Sequence, residues 1–272
     1  MCNTFIDCFE DGVLRGKSKE INFDPVKSMK KKKPLNQIIY LPDYFTGTIS
    51  QSFQKEVDSE ILYWDFGKKL NKNIKLQIEQ MLNYVVKTVK DKEGRRNRYL
   101  LLLKYLLCYA ESSGLQDILK METTQEEEFA SLLRKQMGGY NVNATNFIAF
   151  CRKRLFLEAK EIDWEANVWY VEKLNIAPER YSLSSTIESF SFLDIQLEDN
   201  RKMLQEYLKY LFTVTNLNLG TIRIKQTYIK EFLKYLEEQE KAITRINVNS
   251  VKEYFEKLST QRISPQSYNN KI

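Results

Sequence analysis

Helix breakers are scarce in this chain, with nine Gly and five Pro among 272 residues. A β-sandwich or barrel needs Gly and Pro at many tight turns, so long helices are the expectation. Periodicity agrees. From residue 73 onward Ile74, Ile78, Met81, Leu82, Val85, Val86 and Val89 recur at three- and four-residue steps, an apolar stripe that runs to Asp91. A second helix is predicted over 95–113, carrying Leu100, Leu103, Leu106, Leu107 and Ala110 and stopped by Gly114. Thr124 and Glu127 have the spacing of a capping box for a third helix, and Asn143 is placed to cap a fourth.

Four helices in this span describe a first small bundle, assigned to 63–160. Residues 1–62 read as an irregular basic extension with at most a short strand at 37–41, ended by Pro42. The stretch 161–198 holds Trp164, Trp169 and Pro178, then Phe190, Ser191 and Phe192, which alternate like a short strand. It is read as a structured connector whose tryptophans pack between modules. A second bundle then begins over 199–272. Asn200 caps a helix with Leu204, Leu208, Leu211 and Phe212, Thr221 opens another, Asn249 precedes a third, and Ser264 with Pro265 marks a helix start. The fold class is therefore all-α: two small helical bundles joined by a structured connector.

Histidine is absent altogether. This excludes a Ser-His-Asp triad, a Cys-His pair and any imidazole metal site. Cys2, Cys8, Cys108 and Cys151 form no CxxC, so they are read as inert thiols in a reducing compartment. The acidic run Glu126, Glu127 and Glu128 points to different faces of a helix and cannot converge on a metal; it suits the negative end favoured at a helix N-terminus. The N-terminus lacks the pattern of a signal peptide. The longest apolar run, 99–110, is interrupted by Lys104 and falls short of the roughly 20 residues of a membrane span. A cytoplasmic protein is expected, with no catalytic residue, cofactor, metal, membrane or small-molecule substrate.

The net charge of +6 is unevenly placed. Residues 1–160 hold 27 basic and 20 acidic side chains, whereas 161–272 hold 15 and 16. Within the first part, Lys87, Lys90, Lys92, Arg95, Arg96 and Arg98 flank Gly94 and form a dense basic corner, which attracts phosphates whatever the base sequence. Lys30–Lys33, next to Pro34, read as a solvated segment. In the second bundle Arg223, Thr227, Lys230 and Lys234 recur at steps of four, three and four, with Gln226 beside them. Basic and amide side chains on one helix fit the phosphates and base edges of a major groove. Taken alone, the stripe also fits an ordinary solvated face, with Glu231 and Glu237 nearby.

The order of signals from residue 190 to the end carries a resemblance. The stretches are 190–195 (FSFLDI), 200–211 (NRKMLQEYLKYL), 228–236 (YIKEFLKYL), 243–246 (ITRI) and 263–272 (ISPQSYNNKI). In that order and spacing they resemble the SAM-like core-binding domain of tyrosine recombinases, the phage integrases and related transposases. The preceding bundle and connector resemble the long N-terminal region of transposase-type members.

The resemblance implies that double-stranded DNA is the partner and leaves self-association on DNA open. It also implies that the chemistry resides in a separate C-terminal domain, so this chain is expected to be a non-enzymatic part of a recombinase, cut before that domain. The residues it assigns to DNA are Arg223, Gln226, Thr227, Lys230 and Lys234, then Gln266, Ser267, Asn270 and Lys271. Arg95, Arg96 and Arg98 are a further DNA-contacting surface in the first bundle. The competing reading is a helical interaction module that docks partner proteins without DNA.

Overall fold

A computed structural model of the chain describes residues 38–53, 59–67, 70–137, 142–181 and 186–260. Contacts separate it into two compact units, with the division between Cys151 and Arg152. Apart from two two-stranded sheets, the regular elements among the described residues of both units are helices.

In the first unit α1 (Lys72–Thr88) is capped by Asn71, whose side chain accepts the Asn73 N–H at 2.7 Å. Ile74, Ile78, Met81, Leu82, Val85 and Val86 are all buried, so the predicted apolar stripe is the packed one. Gln77 lies on the same face. Its amide donates to Asp117 at 2.6 Å and its oxygen accepts the Ile118 N–H at 2.8 Å, which satisfies a buried polar group while fixing that loop.

The basic corner departs from expectation in detail. Gly94 lies within the helical turn Lys92–Arg95, and the helical break falls before it, at 89–91. Asp91 accepts the Gly94 N–H at 3.0 Å, an N-terminal cap that leaves no room for a side chain at residue 94. A π-helical segment, Arg96–Leu100, leads into α2 (Leu101–Ser113), which ends on Gly114 in the left-handed conformation (φ 72°). In α3 (Thr123–Met137) the capping contact is Gln125 accepting the Glu122 N–H at 3.0 Å, two residues ahead of the expected pair. The helix α4 (Val142–Glu158) starts one residue before Asn143 and contains the division between the units.

Residues from 38 onward, expected as part of an irregular extension, supply core to this unit. β1 (Ile38–Tyr40) pairs antiparallel with β2 (Tyr63–Asp65), with Ile39 opposite Trp64. Leu41, Phe45, Phe53, Ile61 and Leu62 are buried in the short helical segments that follow or precede these strands. Lys104, the interruption in the apolar run, is buried as well. Its ammonium lies 5.3 Å from the Trp64 ring centroid and donates to the Tyr63 carbonyl, so the cation is matched by a π face and a backbone dipole.

In the second unit the stretch read as a connector provides core. β3 (Val168–Tyr170) pairs antiparallel with β4 (Ser189–Ser191), Trp169 opposite Phe190. Trp169 is wholly buried, and its ring meets those of Trp164, Phe192 and Phe212 edge-on. The tryptophan pair therefore packs inside one unit.

Among the described residues three α-helices follow: α5 (Glu198–Val214), α6 (Leu219–Glu238) and α7 (Val248–Thr260). Arg180 closes the C-terminus of α5, donating to the carbonyls of Phe212 (2.8 Å), Leu211 (3.1 Å) and Leu217 (2.9 Å). The N-terminus of α5 is not capped by Asn200, which is buried one turn inside and accepts the Ile243 N–H at 2.6 Å. Glu237 of α6 caps it instead. Its carboxylate accepts the N–H groups of Gln196 (3.0 Å) and Leu197 (2.9 Å) and the Asn200 amide (3.3 Å). α7 packs Tyr254 edge-on against Phe232 at 4.9 Å and buries Leu258. Ser264 and Pro265 lie outside the described residues.

Candidate nucleic-acid interface

The helix that carries the basic stripe, α6, starts from Asn218, whose side chain accepts the Thr221 N–H at 2.8 Å. Ile222, Leu233 and Leu236 form its buried face. The predicted stripe adjoins that face, and its first half turns inward.

Gln226 is 1% exposed and donates to the Ser191 carbonyl at 2.9 Å. Arg223 donates to Gln226 at 2.9 Å and to the Ser189 carbonyl, and its guanidinium lies 4.4 Å over the Phe190 ring. These contacts follow from strand alternation. The Glu188 carbonyl accepts the Val171 N–H and the Phe192 N–H donates to the Asn167 carbonyl, at the two ends of β3, so by alternation the carbonyls of Ser189 and Ser191 point away from it and need donors. Arg223 and Gln226 are those donors. Burial holds the Arg223 guanidinium below its ordinary value.

The second half of the stripe converges on one acid. Lys230 Nζ lies 2.5 Å from Asp194 Oδ1, and Lys234 Nζ lies 2.8 Å from Oδ2 of the same carboxylate. Lys230 is 15% exposed, whereas Lys234 is 47% exposed and reaches solvent. Partial burial raises the Asp194 carboxyl, but the hydrogen bonds and charges of both lysines outweigh it, and it sits below the usual carboxylate value. Lys230 is lowered from the usual lysine value, chiefly by burial, with Asp194 pulling it back up. The Thr227 hydroxyl donates to the Arg223 carbonyl one turn back and stays at the surface.

Sequence patterning does not mark Asp194 as part of the stripe. The one signal for it is its place in the 190–195 segment, four residues after Phe190, which lies under Arg223.

The first-unit arginines separate. Arg95 is buried, stacked 4.8 Å over Phe53, and donates to the Ser52 hydroxyl at 3.1 Å. Arg96 is half-buried in the π-helical segment. Arg98 is exposed, as are Lys87 and Lys90. Gln266, Ser267, Asn270 and Lys271 lie outside the described residues.

Residues 204–272 match the family described as phage integrase, N-terminal SAM-like domain. The match begins within α5, takes in α6 and α7, and so contains both lysines of the stripe while leaving Asp194 outside it. No curated protein and no solved structure matches the chain. Among the described residues no helix is long and apolar enough to cross a membrane.

Proposed function

We propose that this chain is the DNA-binding region of a tyrosine-type site-specific recombinase of the transposase kind, which clamps duplex DNA at the recombination site. The observation that carries the reading is the match of 204–272 to the integrase SAM-like domain, which begins within α5 and takes in α6 and α7. The convergent lysines of α6 supply the phosphate chemistry that such a role needs. The chain acts by binding. Strand cleavage belongs to a catalytic domain of the parent recombinase, in keeping with the absence of histidine from these 272 residues.

In this reading Lys234 and Thr227 face the DNA backbone, Lys230 stands behind them on Asp194, and Arg223 and Gln226 build the platform that aims them; Gln266, Ser267, Asn270 and Lys271, outside the described residues, are assigned as further DNA contacts. The exposed cations Arg98, Lys87 and Lys90 form the additional surface of the first unit. The near-neutral balance of 161–272 means that affinity rests on local placement of charge and not on net charge.

Fluorescence anisotropy of a labelled duplex, titrated with the full chain from low to physiological salt, tests the proposal. Neutralising two or three phosphates predicts that the logarithm of the association constant falls with the logarithm of salt at a slope of about −2 to −3. Lys234→Glu, at an exposed position, is expected to weaken binding about tenfold with an unchanged circular-dichroism spectrum. Absence of duplex binding at low salt refutes the proposal, and an unchanged affinity for Lys234→Glu moves the site elsewhere.

A further inference from the structure

Two amino groups that grip the two oxygens of one carboxylate have the geometry with which lysines grip the two free oxygens of a phosphodiester. Here the carboxylate is the chain's own Asp194, at 2.5 and 2.8 Å. We infer that the Asp194 carboxylate is an internal stand-in for a backbone phosphate on this stripe, and that DNA binding exchanges Lys234, but not Lys230, from the carboxylate to a phosphate. The inference rests on the DNA-binding reading above and adds an intramolecular competitor to it.

The two lysines differ in what they can do. Lys230 is 15% exposed and bonded to Oδ1, so leaving Asp194 would strand a nearly buried ammonium. It serves as the fixed arm that holds the 193–196 turn against α6. Lys234, at 47% exposure on Oδ2, can swing to an incoming phosphate while the rest of the cluster stays in place. The turn itself is anchored independently, since Glu237, one turn beyond Lys234, accepts the N–H groups of Gln196 and Leu197. Asp194 therefore remains beside the stripe when Lys234 leaves it. Its negative charge opposes the phosphate and sets an upper limit on affinity.

Asp194→Asn discriminates between the arms. The asparagine oxygen can still accept from Lys230, but the second oxygen becomes an NH2 group, which has nothing to offer the Lys234 ammonium. Lys234 is thereby released.

The experiment is anisotropy of a 20-base-pair duplex with the full chain as wild type, D194N, K234A and D194N/K234A, each checked by circular dichroism. D194N is expected to bind about three- to tenfold tighter, with a salt slope steeper by about one. K234A alone should change affinity by less than about twofold, because its charge is spent on Asp194 in the free protein, whereas K234A in the D194N background should erase the gain.

Equal or weaker binding by D194N overturns the inference and leaves the DNA-binding reading standing. A gain that survives in D194N/K234A also overturns it, since bulk charge then explains the effect. If neither wild type nor D194N binds, the DNA-binding reading falls and the inference with it.

Should D194N not fold, lysine side-chain NMR of the wild type decides. Added duplex must shift the Lys234 Nζ resonance and leave that of Lys230 in place. The reverse pattern, or no shift of Lys234, overturns the inference.

Discussion

Replacing Glu237 with Ala removes a helix cap that comes from a different helix. The carboxylate accepts the N–H groups of Gln196 and Leu197 at 3.0 and 2.9 Å and the amide of buried Asn200 at 3.3 Å. Leu197, the residue at the N-cap position of α5, offers no capping side chain, so nothing local replaces the lost acceptor. Loss of a cap costs about 1 kcal/mol and up to about 2, and loss of a negative charge at a helix N-terminus adds about 0.3–1. Gln196 and Leu197 are exposed, so water recovers part of both contributions. The Asn200 amide is buried and recovers less. The net expectation is about 2 kcal/mol. Glu237→Gln keeps an acceptor oxygen without the charge and should lose about half of that.

The assay is urea unfolding followed by far-ultraviolet circular dichroism. With a slope of about 2 kcal/mol per molar urea, Glu237→Ala should move the midpoint of the second unit's transition down by about 1 M with the slope unchanged. Hydrogen exchange gives a local readout, because the amides of Gln196 and Leu197 should lose protection first. A midpoint within about 0.2 M of wild type, with unaltered exchange at those two amides, refutes the assignment of Glu237 as the cap of α5.

Two further outcomes follow from the same reasoning. Gly94→Ala places a Cβ 2.2 Å from the Asp91 carboxylate oxygen, which must rotate away and abandon the Gly94 N–H. Asp91→Ala should lose about 1 kcal/mol in thermal melts, the value of the cap, whereas in Gly94→Ala a gain of about 0.5–1 kcal/mol from removing a helical glycine offsets that loss, so it should melt closer to wild type than Asp91→Ala. The Asp194 carboxyl is held below its unfolded value of about 3.9, so its stabilisation is fully present above that pH and is lost as pH falls through the lower folded value. Asp194→Asn should therefore flatten the stability curve below about pH 4 and leave its slope near neutrality unchanged, which urea midpoints across an acid series will show.

The long elements were legible in sequence because a helix that packs on one side must repeat its apolar residues every three or four positions. The stripe from Ile74 to Val86 is buried as its spacing required, and Gly114 adopts the left-handed conformation that stops α2. Caps were less legible. Thr124, Asn143 and Asn200 were plausible by residue type, yet the contacts fall on Gln125, one residue before Asn143 the helix has already begun, and at Asn200 the acceptor is Glu237. A cap supplied across 37 residues leaves no local pattern.

The short strands were harder still. Three-residue pairings such as Ile38–Tyr40 with Tyr63–Asp65 are too short to show alternation, and their partners are distant in the chain. Sequence therefore reads as extension and connector the segments that place Ile39, Leu41, Phe53 and Ile61, and Trp169, Phe190 and Phe192, in the two cores.

The basic stripe shows where each level of description decides. Sequence alone determined that Arg223, Thr227, Lys230 and Lys234 lie along one side of one helix, because 3.6 residues per turn leaves no alternative. It also determined the helical class, through the shortage of Gly and Pro, and excluded imidazole chemistry. What faces that side was decided only by tertiary structure. The carbonyls of β4 take Arg223 and Gln226, and the Asp194 carboxylate takes both lysines, because buried backbone and charged groups must find partners wherever folding brings them together. Helical periodicity fixes direction within an element, and only packing of distant segments fixes which groups meet.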